Sequence, residues 1–384
     1  MTAVPGHDCA TTYLIVAMDV GSTKWVCAIG TSASPKSRLK TVPARDVTAL
    51  RAEIDLAKQS FGLPAGAPVW CCYEAGRDGF WLYRVLREVG IQCRVVDPGS
   101  VPVDQRAKRV KTDRLDSQAL LRQFALFLRG EAKLSVLNVP SVEAEDARHI
   151  DRERLCLRND RTTVQNEIGS LLALAGVVIE RCKLIHLAKE PERLDGLAGP
   201  LGCLPPHQQA RLRRQLERLK LIDAQQVELK AALKTSLSTQ PKTVASAQIA
   251  QLVGLRGIGD TSARQLVFEA FSWRKFENRE KAGALLGAVS APYASDQSRR
   301  EQGITKTGNA RLRATMVEIA WLWVRHQPTS EITKWFLAKW GPPAKRAKLV
   351  GIVGLARKLF IALWRYVEQG VVPHGATLKP VKAA

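Results

Sequence analysis

Residues 13–31, YLIVAMDVGSTKWVCAIGT, place two apolar, β-rich runs on either side of a Gly-Ser turn. Runs of this kind, bounded by turn residues, read as a β-hairpin. Strands are therefore expected at 13–20 and 24–31, with a weaker third strand near 38–42. From Asp46 to Phe61 the apolar residues Val47, Leu50, Ile54 and Ala57 keep helical spacing, and Gly62 and Pro64 stop the run. PVWCCYE (68–74) reads as a buried strand, DGFWLYRVLREVG (78–90) as a helix and IQCRVVD (91–97) as a further strand. Strands and helices alternating after an antiparallel start predict an α/β layer domain.

Beyond Pro140 the pattern changes. Residues 141–175 and 206–236 are charged segments with Leu155, Val164, Ile168 and Leu171 in one and Leu212, Leu216, Leu219 and Leu233 in the other. This spacing predicts two antiparallel helices, coiled-coil-like, joined by a Gly- and Pro-containing loop. From about Ser246 a mainly helical region is expected. Within it, QLVGLRGIGDTSARQLVFE (251–269) has the form of a helix-hairpin-helix with a GIG turn. A loop carrying Tyr293, Ser295 and Ser298 then precedes Arg299, Arg300, Lys306 and a helix starting near Asn309 that bears Arg311 and Arg313. The expected division is 1–135 α/β, 136–245 long-helix pair and 246–384 helical.

The 384 residues are 46% hydrophobic, enough for two or three cores. Lys and Arg outnumber Asp and Glu by 58 to 36, a net +22. That balance calls for a polyanionic partner, with nucleic acid ahead of a membrane surface. No apolar run is long enough to span a bilayer, and the first residues lack a basic region followed by a hydrophobic one, so a cytoplasmic location is expected. Eight cysteines without a CxxC pair, four of them (Cys27, Cys71, Cys72 and Cys93) in strand-like contexts, read as reduced core residues.

The acids carry the chemistry. Asp19 closes the first strand and Glu74 the fourth, while KTDRLDSQALLR (111–122) sets Asp113 and Asp116 one helical turn apart. Residues at strand ends share one rim of a layered sheet, so four carboxylates can converge there. Hard divalent ions such as Mg2+ or Mn2+ take oxygen ligands and serve phosphoryl transfer. Arg106, Lys108, Arg109, Lys111 and Arg114 would hold a nucleic-acid backbone beside them. This order of acids is that of ribonuclease H-like nucleases. DVGSTK (19–24) is also similar to the first phosphate loop of actin-like ATPases, but no second Gly-rich Asp loop follows residue 130.

Taken together, AMDVGSTKW, YEAGRDGFWL, KTDRLDSQAL, the Arg-rich DARHIDRERLCLRNDRTTVQNEI, GIGDTSA, YASDQSRREQGITKTGNARLR and ARKLFIALWRYVEQG resemble the DEDD transposases of the insertion-sequence "one-ten" family, including its "eleven-eleven" branch. The resemblance covers nearly the whole chain. It implies a ribonuclease H-like (RuvC-like) catalytic domain with its acidic tetrad on Asp19, Glu74, Asp113 and Asp116. It also implies a serine nucleophile at Ser295, with Ser298 and Tyr293 as alternatives in the same loop. Asp296 stands where the family has Gly, and Ser290 where Pro is common. The implied partners are donor and target double-stranded DNA, a structured guide RNA encoded by the element and further copies of the chain, as dimer or tetramer, in a bacterial, nucleoid-associated setting. A Holliday-junction-type endonuclease using the acids alone is the alternative activity.

Overall fold

The computed structural model describes residues 12–34, 36–76, 79–100, 113–190, 204–239, 243–295, 298–341 and 345–380; for 234–239, 290–295, 298–302 and 345–346 it describes the backbone alone. The chain forms two compact units, Met1–Val139 and Pro140–Ala384.

The first unit is built on five strands: β1 (Leu14–Val20), β2 (Lys24–Thr31), β3 (Ser37–Pro43), β4 (Val69–Glu74) and β5 (Gln92–Val96), in sheet order β3-β2-β1-β4-β5. The first three pair antiparallel, and β1–β4 and β4–β5 pair parallel. Parallel pairing needs a crossover. α1 (Val47–Ser60) and α2 (Trp81–Glu88) supply the two crossovers, and α3 (Asp113–Leu128) follows. Strand alternation divides the side chains between two faces. Leu14, Val16 and Met18 pack with Leu50, Ile54, Leu82 and Leu86 on one face. On the other face Ile15 and Ala17 pack with Leu120, Leu121 and Phe124 of α3. The result is a helix–sheet–helix sandwich on the mixed sheet expected of a ribonuclease H-like domain. Cys27, Cys71, Cys72 and Cys93 are buried free thiols within it, and burial pushes Cys27 up to about 12. Cys156 and Cys182, by contrast, are exposed, so the expectation of core cysteines does not extend to them.

The second unit contains α4 (Val142–Asp146), α5 (His149–Ala173), α6 (Leu184–Lys189), α7 (Pro206–Thr239), α8 (Val244–Val253), α9 (Asp260–Leu266), α10 (Arg279–Leu285), β6 (Ser290–Ser295), β7 (Ser298–Ile304), α11 (Ala310–His326), α12 (Glu331–Trp340) and α13 (Lys345–Gln369). Val164, Ile168 and Leu171 of α5 pack with Leu212, Leu216 and Leu219 of α7. The segment between them is not all loop: Leu184, Leu187 and Ala188 lie at helical spacing in α6 and enter the same core. A separate core gathers α8, α9 and α11–α13 around Leu252, Leu266, Met316, Trp323, Leu359 and Phe360. The GIG turn between α8 and α9 packs tightly. Gly257 has φ +86°, and a Cβ there would lie 3.2 Å from the Leu322 carbonyl oxygen. The buried Gln327 amide donates to the Arg256 and Thr377 carbonyls at 2.9 and 2.8 Å, tying the turn to the C-terminal segment.

The expected serine loop is a hairpin. β6 and β7 pair antiparallel from Ser290↔Ile304 to Ser295↔Ser298. SAPYAS and SRREQGI lack the apolar alternation by which strands are recognised in sequence. Their pairing rests on main-chain hydrogen bonds, which leave no mark in composition.

Candidate active site

The register places the acids of the first unit. Met18 of β1 is level with Tyr73 of β4, so Asp19 and Glu74 are the next residues on two hydrogen-bonded parallel strands. Both have the parity of Ile15, Ala17, Trp70 and Cys72, whose side chains enter the core beneath α3. Asp19 and Glu74 therefore belong to the α3 face, at the C-terminal end of the strands.

α3 runs back along β1. Leu121 lies against Gly30, the partner of Ile15, and Arg129, just past the helix, acts electrostatically on Tyr13. From Ile15 to Asp19 the strand rises about 13 Å at ~3.3 Å per residue. From Leu121 back to Asp113 the helix covers about 12 Å at ~1.5 Å per residue. Asp113 thus draws level with Asp19, and Asp116 follows about one turn behind. The helix stripe that carries Leu120 and Phe124 into the core carries both aspartates with it. Asp19 and Asp116 are half-buried, and Glu74 and Asp113 are exposed. Carboxylates in the first turn also suit the positive end of the helix dipole.

Four carboxylates accessible from one side are the donor set a hard divalent cation takes. Among the described residues, no three His, Cys, Asp or Glu side chains are gathered into a ready-made metal site. What the fold provides is the common face and level.

In the second unit the root of the β6–β7 hairpin is a backbone clasp. Thr305 N–H donates to Val289, Lys306 N–H to Gly287 and Asn309 N–H to Leu285, at 2.9, 3.0 and 2.8 Å. The approach is so close that a Cβ on Gly287 would fall 2.2 Å from the Thr307 carbonyl oxygen, and one on Gly308 2.6 Å from that of Leu285. Lys306 takes φ +57° to make the turn. Arg313 Nη1 donates to the Leu286 carbonyl at 2.8 Å and the Lys306 carbonyl at 3.4 Å. Asn309 caps α11, its Oδ1 accepting from Leu312 N–H at 3.1 Å.

The cations divide into two groups. Arg106, Lys108, Arg109 and Lys111 lie outside the described residues, while Arg114, Lys306 and Arg311 are exposed. Arg299 and Arg300 are opposite Ala294 and Tyr293 in the hairpin register. The Arg-rich helix α5, however, engages much of its charge internally. Arg148 pairs with Glu145, Arg152 with Glu269, Arg154 with Asp151, and Arg161 with Asp223. Arg264 also reaches Asp151 at 3.3 Å. Burial nonetheless outweighs both arginines and keeps the Asp151 carboxyl above its ordinary range.

Glu269 is the residue that the sequence reading missed. It is 6% exposed and lies in a π-helical turn, Val267–Phe271, directly after α9. Arg152 grips it with Nε and Nη2 at 2.7 and 2.9 Å, and Asn309 Nδ2 donates to it at 3.1 Å. Burial pushes the carboxyl up, but Arg152 and Asn309 prevail and hold it below the ordinary range. The available signal was a lone acid in an apolar run, QLVFEAF.

Comparison with known proteins bears on both units. Residues 16–176 match the family model of the IS110 DEDD type, described as "Transposase", and residues 249–333 match the one described as "Transposase IS116/IS110/IS902 family". A protein of Sinorhizobium fredii named as transposase y4rJ is 36% identical over 380 residues, covering 95% of this chain and 94% of its own. A second from that organism, named as transposase y4qE, is 28% identical over 68% of this chain and 60% of its own. One from Pseudomonas aeruginosa, named as a family 20 transposase, is 25% identical over 79% and 85%.

Proposed function

Because the chain belongs to the IS116/IS110/IS902 family of transposases, enzymes that cut and rejoin DNA, we propose that it does so through a covalent bond between Ser295 and a DNA strand. What supports the acidic part of this reading is that Asp19 and Glu74 lie on the sheet face packed against α3, whose first turn holds Asp113 and Asp116. The DEDD family implies dependence on a divalent metal, and these four residues would hold Mg2+ or Mn2+. When bound, such an ion supplies positive charge that favours an ionised nucleophile and offsets charge on the reacting phosphate.

The chain's own groups do the rest. A serine hydroxyl is a weak nucleophile and must lose its proton as it attacks. The Oγ–P bond forms, one P–O bond to a deoxyribose breaks, and the departing oxygen takes up a proton. Strand rejoining runs the same exchange with an incoming DNA hydroxyl. Arg299, Arg300, Lys306 and Arg311 are assigned to the phosphates around the serine, and Arg106–Arg114 to those around the acids. Functionally we divide the chain into the ribonuclease H-like domain 1–135, the long-helix region 136–245 and the serine-bearing domain 246–384. A structured RNA encoded by the element supplies sequence choice by pairing with donor and target DNA, and the protein reads backbone and shape. The active form is assigned as a dimer or tetramer.

Nicked suicide DNA tests the assignment. Wild-type protein should leave an adduct that survives denaturation, Ser295→Ala should form none, and Asp113→Asn should bind DNA but not transfer it. An adduct that persists in Ser295→Ala and vanishes in Ser298→Ala moves the nucleophile. Cleavage with no adduct at all marks an endonuclease using the acids alone.

A further inference from the structure

A buried carboxylate stands at the root of the serine hairpin without a part in the chemistry above. Burying an ion pair is seldom the most stabilising choice, since well-packed apolar side chains of the same volume do as well or better. Glu269 is nevertheless held there by three hydrogen bonds from two elements. It also lies on a π-helical turn, an arrangement that costs regular helix geometry and re-aims the side chains around it.

We infer that Arg152, Glu269 and Asn309 are positioning residues that fix the root of the β6–β7 hairpin against α5 and so set the direction from which Ser295 is presented. The inference rests on the assignment of Ser295 as nucleophile.

Residue types support it. Asn309 makes three separate bonds: its N–H to Leu285, its Oδ1 from Leu312 and its Nδ2 to Glu269. Ser or Asp would cap α11 as well as Asn. An ionised Asp has no donor for a buried carboxylate and the Ser hydroxyl sits on a shorter side chain than the Asn amide, so capping alone does not require Asn. Arg152 meets Glu269 with a two-pronged fork, which fixes orientation as well as charge and which Lys cannot reproduce. The same asparagine ends the clasp in which Gly287 and Gly308 bring the two sides of the hairpin root into backbone contact. A displacement of α5 would therefore pass through Glu269 and Asn309 to the hairpin root. Misplacing a reacting atom by about 1 Å costs on the order of 10²-fold in rate.

The full-length protein on nicked suicide DNA, with Mg2+, provides the test. The single-turnover rate of adduct formation, the DNA affinity and the thermal unfolding are measured on each variant. Asn309→Ser keeps the cap and replaces the amide donor with a hydroxyl on a shorter side chain; its adduct rate should fall about tenfold or more, with DNA affinity within about twofold. Asn309→Asp sets two carboxylates together and should fall further. Adding Glu269→Gln to Asn309→Asp exchanges donor for acceptor and should recover much of the rate. Arg152→Lys gives a second, independent lesion should an Asn309 variant fail to fold. Folded Asn309→Ser or Arg152→Lys working at the wild-type rate, or a double variant no faster than Asn309→Asp, overturns the inference. A wild-type protein that forms no Ser295-dependent adduct overturns the nucleophile assignment, and this inference with it.

Discussion

Replacing Gly287 by alanine attacks the hairpin root through geometry alone. Gly287 has φ +56°, where an L-residue costs roughly 1–2 kcal/mol. Its new Cβ would also lie 2.2 Å from the Thr307 carbonyl oxygen, so the two backbones must separate by about an ångström to reach ordinary contact. That separation breaks the bond from Lys306 N–H to Gly287, 3.0 Å long, worth about 1 kcal/mol. The sum is about 2–3 kcal/mol, a roughly 30- to 150-fold rise in local opening. Gly62 provides the control. It has φ +69° with nothing within 4 Å of its Cβ position, so Gly62→Ala meets the backbone penalty and no clash. Native-state hydrogen exchange at the Thr305, Lys306 and Asn309 amides reads the effect. Gly287→Ala should speed exchange at these three and slow adduct formation; Gly62→Ala should do neither. Unchanged exchange in Gly287→Ala would mean that the clasp yields without cost, and the argument for a rigid root would fail.

Four other outcomes follow from named contacts. Phe124 is fully buried between α3 and the sheet, so Phe124→Ala should cost about 3–5 kcal/mol in urea unfolding of the first unit, and a loss below about 1 kcal/mol would contradict the packing that levels Asp113 with Asp19. The folded pKa of Glu269 lies below its ordinary 4.5, so its contribution to stability is full above that pH and lost as pH falls through the depressed value; Glu269→Gln should flatten this acid limb of a Tm curve and leave the slope at neutral pH unchanged. Under native conditions Cys156 and Cys182 should react with a thiol reagent while Cys27, Cys71, Cys72 and Cys93 react only on unfolding, as peptide mapping would reveal. Affinity for non-specific duplex should fall about 10³- to 10⁵-fold between roughly 50 and 200 mM salt if about six to ten phosphates are held; Arg311→Ala should flatten that slope by about one unit and Arg152→Ala should not, since Glu269 already engages it.

Much of the architecture was legible in the chain itself. The hairpin at 13–31 was read from two apolar β-rich runs and their turn, and its strands are Leu14–Val20 and Lys24–Thr31. The helix stopped by Gly62 is Val47–Ser60 with Asp46 as its cap, and the helix start near Asn309 is Ala310 with Asn309 as its cap. These signals are local, being hydrophobic period, caps and turn residues, and the same few residues that form an element announce it. The places of the four acids, near the ends of β1 and β4 and in the first turn of α3, were legible for a related reason. A carboxylate at the end of an apolar strand, or in the first turn of a helix, stands out against its neighbours.

What the sequence could not decide is what depends on pairing between distant residues. That Asp19 and Glu74 share a face follows from the parallel register of β1 and β4, and their level with Asp113 from the way Leu121 lies against Gly30. The serine segment carried no strand period, and its strands are recognised by their antiparallel backbone pairing. The charge of the Arg-rich helix was a count in the sequence; folding decided that Arg152 points to Glu269, 117 residues away, and is therefore spent inside the protein. Sequence determined which residues could form helices, strands and an acidic rim, because those are short-range properties of the chain. Tertiary structure decided which charges face inward and which faces coincide, because desolvation and register are settled only when segments far apart in sequence come into contact.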